Sequence, residues 1–257
     1  MRSLVERWFG GWLQGLGRFG LFGKEVLCSV LLHWPRWRDL VAQIHMIGVK
    51  SQSVVLITGA FTGMVLCAQT YFQFHKVKMD SATLAVVSVA MCSELGPVLT
   101  ALMVAGRMGA AMAAELGTMR VTEQIDALRT LATHPIDYLV GPRLLATLLA
   151  LPLLTAESIA LGIGAGYAVA VGLLKIDPAF SWFHMLKYTS HTDLLTGILK
   201  AVIFGGILAM IGCYKGLNCR EGAEGVGRAT TEAVVYASIT ILISNFFLTL
   251  LLANLLA

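Results

Sequence analysis

Five long runs of apolar residues, separated by polar stretches, dominate the sequence. Each run approaches or exceeds the about 20 residues that an α-helix needs to cross the hydrocarbon core of a bilayer. The third run contains Pro152 and is longer than one crossing requires, so we expect it to be tilted, kinked or extended beyond the membrane. The pattern predicts an all-α integral membrane protein with five spans at residues 53–71, 83–105, 144–174, 194–213 and 233–256.

The first 50 residues show a different pattern, in which apolar and aromatic residues recur at helical spacing among charged ones. One stretch carries Trp8 and Trp12 on one side, and a second, after a break at Pro35, carries Trp37 and Leu40. Charges throughout the first stretch argue against a cleaved signal peptide. We therefore predict N-terminal helices lying in the membrane interface over residues 1–50, followed by a five-span membrane domain at residues 51–257.

The segment at residues 107–143, between the second and third runs, carries too many charged side chains to cross lipid. We expect it to lie in water or against a partner. Within it, Thr122 is predicted to cap a short helix with Ile125 and Leu128 on its apolar face. Such a helix could pass motion from a soluble partner into the bilayer as a coupling helix. The alternative is a loop helix that rests on lipid.

Composition supports the membrane assignment, because 57% of the residues are hydrophobic, 13% are charged and the mean hydropathy is +0.76. Most of the 19 Lys and Arg residues lie on the side of the spans that holds the N-terminus. The distribution of these residues predicts a cytoplasmic N-terminus and, after five spans, a C-terminus on the periplasmic side. The net charge of +4 comes without a basic stripe, which argues against nucleic acid binding.

Three charged residues fall inside the predicted spans, where charge is costly unless it faces a cavity or a partner. Glu94, three residues before Pro97, either bonds a neighbouring helix at a kink or lines a polar translocation route. Lys200 either extends outward to the membrane surface or offers a positive charge to an anionic lipid headgroup. Glu157 is a weaker candidate of the same kind.

Several chemical functions lack their motifs in this chain. No G-x-x-x-x-G-K-[ST] occurs, so the chain is not expected to bind ATP by a P-loop. The G-x-G-x-x-G spacing at residues 15–20 follows no strand and does not predict a dinucleotide site. No H-E-x-x-H or C-x-x-C occurs, and we predict no metal site. We therefore expect no cofactor in this chain, and any energy from a nucleotide would have to come from another subunit.

Two separated blocks resemble the signature of MlaE-type permeases. The first runs from Glu94-Leu95-Gly96-Pro97 to A-E-L-G-T-M-R-V-T-E-Q-I-D-A-L at residues 114–128, and the second is G-A-E-G-V-G-R-A-T-T at residues 222–231. The resemblance implies the permease subunit of a phospholipid ABC transporter in a bacterial inner membrane. It also implies a homodimer, two cytoplasmic ATPase subunits that bind ATP and Mg, an outer ring of MCE-domain proteins and a small cytoplasmic accessory protein.

The resemblance also suggests which residues carry these roles. Lipid would lie in a cavity between two permeases, and the ATPase would bind the segment that matches Glu115 to Leu131. Arg228 would be a basic residue of the last cytoplasmic turn. The predicted lipid-cavity residues are Glu94, Pro97, Lys200 and Glu157. The predicted ATPase-coupling residues are Glu115, Arg120, Glu123, Gln124, Ile125, Asp126 and Leu128.

The sequence departs from the family pattern at two positions. Ser93 stands where the family often has a basic residue, and Asn245 stands where it often has Asp. A charge of each sign is thus missing. Our hypothesis is that these two side chains would otherwise interact, and that joint neutralisation avoids an uncompensated charge in low dielectric.

The predicted function is a permease that moves phospholipid between the inner membrane and outer MCE partners, driven by a separate cytoplasmic ATPase. One alternative is an intramembrane lipid-modifying enzyme with Glu94 as acid or base, for which no second catalytic group is evident. The other alternative is a membrane anchor for MCE proteins that transports nothing.

Overall fold

The structure is a computed structural model that describes residues 2–32, 35–220 and 222–256. This part of the chain is 91% helical and contains no strand, which confirms the predicted all-α class. Its eight helices are α1 (Arg2–Leu32), α2 (Trp37–His75), α3 (Thr83–Val121), α4 (Gln124–Thr130), α5 (Ile136–Gly172), α6 (Pro178–Tyr188), α7 (His191–Leu217) and α8 (Gly222–Leu256).

Five of these helices, α2, α3, α5, α7 and α8, are long and apolar enough to cross a membrane. Since consecutive spans alternate in direction, the short helices lie at opposite ends of the bundle. Helix α4 joins α3 to α5 at one end, called here the α4 end. Helix α6 joins α5 to α7 at the other, called the α6 end.

The spanning helices are longer than the apolar runs that predict them. Helices α2 and α3 each contain 39 residues, about 58 Å at 1.5 Å per residue. The predicted domain boundary at residue 50 falls inside α2, so residues 37–50 are helical and continue without a break into the first span. Helix α3 likewise continues past Arg107 and Glu115. Backbone hydrogen bonding sustains a helix beyond the lipid, where side chains no longer need to be apolar.

Helix α1 packs against the α4 end of α7. The rings of Phe19 and Phe22 lie 5.2 and 5.4 Å from the ring of Tyr214, and Val26 is fully buried. The side chains of Trp8 and Trp12, on which the prediction of an interfacial aromatic face depends, lie outside the described residues. What the described part of α1 shows is a helix held to the bundle by aromatic contacts.

Helices α2 and α5 run parallel and touch through small residues. A Cβ atom added to Gly59 would lie 2.5 Å from the Ser158 Oγ, and one added to Gly63 would collide with the backbone of Gly162. One turn further along, Gly166 approaches the Gly63 carbonyl oxygen. The abundance of glycine in the spans therefore allows direct backbone contact between two helices, as small residues commonly do in membranes.

Replacing Gly63 by alanine should destabilise the protein, because its new methyl group meets backbone atoms that cannot rotate away. The expected cost is that of overpacking, about 1–3 kcal/mol. It can be measured as a lower midpoint of thermal unfolding in detergent. Gly164→Ala is the matched control, since a Cβ at Gly164 meets nothing within 4 Å. Equal midpoints for the two variants would contradict the contact.

Helix α6 was not predicted from the sequence, where its residues read as a loop. Asp177 caps it by accepting hydrogen bonds from the backbone N–H groups of Ala179 and Phe180, at 2.8 and 3.4 Å. It packs against the first turns of α3, where the Ser88 and Thr189 hydroxyls are 2.6 Å apart. The α6 end is therefore partly covered by an ordered helix.

Candidate functional site

A polar network lies inside the bundle around Lys200, whose side chain is 0% exposed. The Lys200 ammonium donates to the Glu94 Oε1 at 2.7 Å, to the Ser93 carbonyl oxygen at 3.0 Å and to the Thr249 Oγ1 at 2.9 Å. An ammonium group has three donors, so all of them are matched. Lys200 therefore does not extend to the membrane surface, and its charge is directed to Glu94.

Glu94 is the partly exposed member of the ion pair in this network. Its carboxylate accepts hydrogen bonds from Lys200 and Thr249 at Oε1 and from the Asn245 Nδ2 at Oε2, at 3.0 Å for the last. The side chain remains 36% exposed on this chain. The ion pair is neutral as a whole, and the group that it presents to the surroundings is a hydrogen-bonded carboxylate.

The local sequence explains how Glu94 and Lys200 meet. Residues Met91–Leu95 form a π-helical segment just before Gly96 and the buried Pro97, whose ring cannot donate a backbone hydrogen bond. In α7, Gly197 has no side chain, and a Cβ there would collide with the carbonyl oxygen of Cys92. The backbones of α3 and α7 therefore touch, which places Lys200 beside Glu94 one helical turn later.

The two departures from the family pattern lie at the edges of this network. Asn245 donates to Glu94, whereas the Ser93 hydroxyl donates to the Val89 carbonyl at 2.9 Å and lies 3.5 Å from the Asp193 carboxylate. The hydrogen bonds found for Ser93 and Asn245 in the described residues do not join these two side chains. The two residues are linked indirectly, because Asn245 and Lys200 both donate to Glu94 and Lys200 also donates to the Ser93 backbone carbonyl.

Glu157 lies apart from this network. Its Oε2 accepts a hydrogen bond from the Gln52 Nε2 at 3.0 Å, between α5 and α2. The structure thus brings together Glu94, Lys200 and Pro97 of the predicted lipid-cavity residues, and it places Glu157 in a separate contact between spans.

The predicted coupling helix exists as α4, but its start differs from the expectation. The helix begins after Glu123, which has a left-handed backbone with φ of 60°, and no side chain caps it. The hydroxyl of Thr122 instead donates to the Thr118 carbonyl, at the end of α3. The prediction that Thr122 caps the helix is therefore wrong, because local backbone bonding at the end of α3 engages its side chain.

Helix α4 is fixed to the bundle by charge and by burial. Asp126 accepts hydrogen bonds from Arg120 at 2.7 Å and from Arg129 at 3.2 Å. Ile125 is 1% exposed and belongs to the main hydrophobic core, and Leu128 packs against that core. Glu123 and Gln124 are exposed. The predicted coupling residues thus divide into an inward set, which holds α4 in place, and an outward pair.

A second ion pair joins the two spans that flank α4, and sequence reasoning did not identify it. Arg143, almost fully buried at the start of α5, donates to Glu115 of α3 at 2.9 Å and to the Leu139 carbonyl at 2.7 Å. From the sequence, Arg143 read as a charged residue that flanks an apolar run. Its partner lies 28 positions away, which no local pattern indicates.

Arg228 is exposed at the α4 end, in the second turn of α8. It lies 3.9 Å from Glu232, which also accepts a hydrogen bond from Lys215 at 2.7 Å. The Lys215 ammonium is 4.0 Å from the centre of the Tyr236 ring. Arg228 thus belongs to a polar cluster that joins α7 to α8, far from the Glu94 network along the helix.

Two of the cavities that the described residues form lie at opposite ends of the bundle. One, of about 510 Å³, lies at the α4 end and is lined by residues that include Arg120, Ile125 and His134. The other, of about 580 Å³, lies at the α6 end. No three His, Cys, Asp or Glu side chains are grouped to hold a metal ion within residues 2–32, 35–220 and 222–256, and the absence of a metal site stays a prediction.

Comparisons with known proteins agree with this architecture. The family model "Permease MlaE" matches residues 40–251. The intermembrane phospholipid transport system permease protein MlaE of Haemophilus influenzae is 37% identical over 240 residues, which cover 92% of this chain and 91% of the relative. A probable ABC transporter permease protein of Rickettsia conorii is 43% identical over 236 residues, with coverage of 92% and 91%.

A plant protein is also similar. TRIGALACTOSYLDIACYLGLYCEROL 1 of Arabidopsis thaliana, a chloroplastic protein, is 36% identical over 228 residues, which cover 89% of this chain and 65% of the relative. The match of the family model extends from the first turn of α2 almost to the end of α8. It includes the Glu94–Lys200 network and the cluster around Arg228. The chain therefore belongs to the MlaE permease family, which confirms the predicted family and the predicted role of a permease and not of an enzyme.

Proposed function

We propose that this chain is the membrane-spanning subunit of an ABC transporter that moves phospholipid, with ATP and Mg bound by a separate cytoplasmic ATPase. The observation that carries the proposal is the partly exposed carboxylate of Glu94, paired with the buried Lys200 inside an apolar bundle. An ionisable side chain inside a membrane-spanning helix is costly, and such residues commonly mark a substrate pathway. The surrounding apolar surface suits a substrate with acyl chains better than a sugar or an ion.

We place the α4 end in the cytoplasm of a bacterial cell and the α6 end on the periplasmic side of its inner membrane. The α4 end carries Arg120, Arg129, Arg143, Lys215 and Arg228. The excess of Lys and Arg at this end follows the positive-inside rule. In this orientation the N-terminus is cytoplasmic and the C-terminus is periplasmic.

The exposed residues Glu123 and Gln124 of α4 form the surface that the ATPase would contact. When the ATPase closes on ATP, a force applied there would reach α3 through the Arg120–Asp126 pair and the buried Ile125. The Glu115–Arg143 pair would transmit it to α5. Helix α3 carries Glu94, so movement of α3 can change how the carboxylate faces a bound lipid.

We further propose a homodimer with lipid held between the two copies. Helix α8 is the span that its own chain covers least, since only 11% of its most apolar stretch is buried. It also supplies Asn245 and Thr249, which lie beside the partly exposed Glu94. A second copy against this face would enclose the carboxylate. A ring of MCE-domain proteins on the periplasmic side and a small cytoplasmic accessory protein belong to the same proposal, supported by the family resemblance.

The test is ATP-dependent transfer of a fluorescent phospholipid by the complex, co-purified with its partner ATPase and reconstituted in vesicles. We expect transfer that stops when the ATPase is inactivated by substitution of its P-loop lysine. Transfer that proceeds equally without ATP hydrolysis, or chemical alteration of the lipid by the isolated chain, would overturn the proposal. The first result is expected of a passive anchor and the second of a lipid-modifying enzyme.

A further inference from the structure

A groove of about 580 Å³ runs between α3 and α6 at the α6 end. Its long side runs from Ala82, just before α3, along the first turns of that helix to Ala90, about 12 Å at 1.5 Å per residue. Lys78, His184 and Tyr188 line its remaining side. The volume lies within the range of about 300–1,000 Å³ that small-molecule sites occupy.

The lining combines an apolar wall with a positive charge. Ala82, Val86, Val89 and Ala90 offer no polar side chain to an occupant. Within the described residues no carboxylate pairs with Lys78, and the nearby Asp80 is bonded to His75 at 3.0 Å. Among the residues that the structure describes, none forms a hydrogen bond with the buried Nδ1 of His184. The groove therefore suits a molecule with a chain of methylene groups and an anionic end.

The position of the groove also favours a lipid. Val86 is 42% exposed, so the groove is open along its side. The adjoining helix α6 exposes Phe180, Trp182 and Phe183. Aromatic side chains of this kind concentrate at the depth of lipid headgroups. Glu94 lies in the turn of α3 that follows Ala90, so the inner end of the groove leads towards the polar network.

We propose that this groove binds an anionic phospholipid from the outer leaflet, with one acyl chain along α3 and the phosphate at Lys78 and His184. It is a lateral passage between the membrane and the Glu94 network. The inference rests on the proposed function and adds to it the entry point and the charge of the preferred lipid. A second copy of the chain is a less suitable occupant, because it would have to bring an acidic residue to Lys78.

The experiment uses the complete complex in vesicles of phosphatidylcholine that contain phosphatidylglycerol with a diazirine-bearing acyl chain. After illumination, we expect labelled peptides from residues 82–90 and from α6. Val86→Trp should fill the groove and reduce this labelling by about fivefold or more, the loss expected when roughly 1 kcal/mol of binding is removed. Val54→Trp is the matched control, because Val54 has the same 42% exposure on another span.

A charge variant tests the headgroup contact. Lys78→Glu should reduce labelling by the anionic probe about fivefold, while labelling by a diazirine phosphatidylcholine, whose choline group offsets the phosphate charge, should fall less. Lys76→Glu, in the same turn but outside the groove lining, should leave both unchanged. Equal losses for Lys78→Glu and Lys76→Glu would overturn the assignment of the phosphate to Lys78.

Failure of this inference is distinguishable from failure of the proposed function. Normal ATP-dependent transfer by Val86→Trp, together with lost groove labelling, would remove the groove from the transport route and leave the function intact. Unchanged labelling in Val86→Trp would overturn the binding site. Cross-linking between two copies through Val86→Cys, with no lipid label, would assign the groove to a dimer contact. Absence of ATP-dependent transfer in the unaltered complex would refute the function itself.

Discussion

Replacing Lys200 by methionine should abolish ATP-dependent phospholipid transfer and destabilise the permease. The substitution removes three hydrogen bonds and leaves the Glu94 carboxylate inside the bundle without its counter-charge. Breaking a buried ion pair costs about 3–5 kcal/mol, and the partial exposure of Glu94 favours the lower end. The measurements are the midpoint of thermal unfolding in detergent and the initial rate of lipid transfer in vesicles.

The matched control for this prediction is Lys215→Met in the same helix. Lys215 is also paired with a glutamate at 2.7 Å, but it is partly exposed at the α4 end, so its loss should cost about 1 kcal/mol or less. The double variant Lys200→Met with Glu94→Gln should recover much of the stability, since both charges are removed together. If Lys200→Met transports lipid normally at an unchanged midpoint, the network has neither a structural nor a transport role.

The combined substitution Glu123→Lys with Gln124→Lys should uncouple ATP hydrolysis from lipid transfer while the permease remains folded. Both side chains are exposed on α4, and they contribute little to the core beneath them. We expect lipid-stimulated ATPase activity to fall about tenfold or more, as when 1.4 kcal/mol or more of an interface is lost. Glu224→Lys, exposed at the same end of the molecule, is the control for added positive charge.

A contrasting variant tests whether the inward residues of α4 act differently from the outward pair Glu123 and Gln124. Ile125→Ala should lower the unfolding midpoint by removing a buried side chain, at a cost of about 2–5 kcal/mol. It should reduce coupling only because α4 loses its position. Undiminished lipid-stimulated hydrolysis in the Glu123 and Gln124 double variant would show that the ATPase does not dock there.

The sequence predicted the number of spans and the short helix between the second and third, and it singled out Glu94 and Lys200 as candidate residues inside the spans. It did not predict that these two residues pair, because they are 106 positions apart and only the glycine at position 197 hints that the backbones touch. The burial of Ile125 was likewise not readable, since an amphipathic helix presents the same pattern to lipid, to a partner and to its own core.

Two further features escaped prediction for different reasons. Helix α6 had a local signal in Asp177 followed by Pro178, a frequent pair at helix starts, but its exposed aromatic residues resemble an interfacial loop. The π-helical segment at Met91–Leu95 lies just before Pro97, but a proline by itself predicts a kink and does not specify a π-helical turn. Local chemistry thus sets where helices begin, and contacts between distant residues set how they pack.

The backbone contact between α2 and α5 limits how the bundle can deform. Sliding one helix along the other would force Gly63 into the carbonyl groups of α5, so this contact resists shear between the two helices. A similar backbone contact at Gly197 joins α7 to α3, whereas α8 is the span that its own chain covers least. Because α8 supplies Asn245 and Thr249 to the charged pair, a displacement of α8 would change the hydrogen bonding of Glu94 while these glycine contacts stay in place.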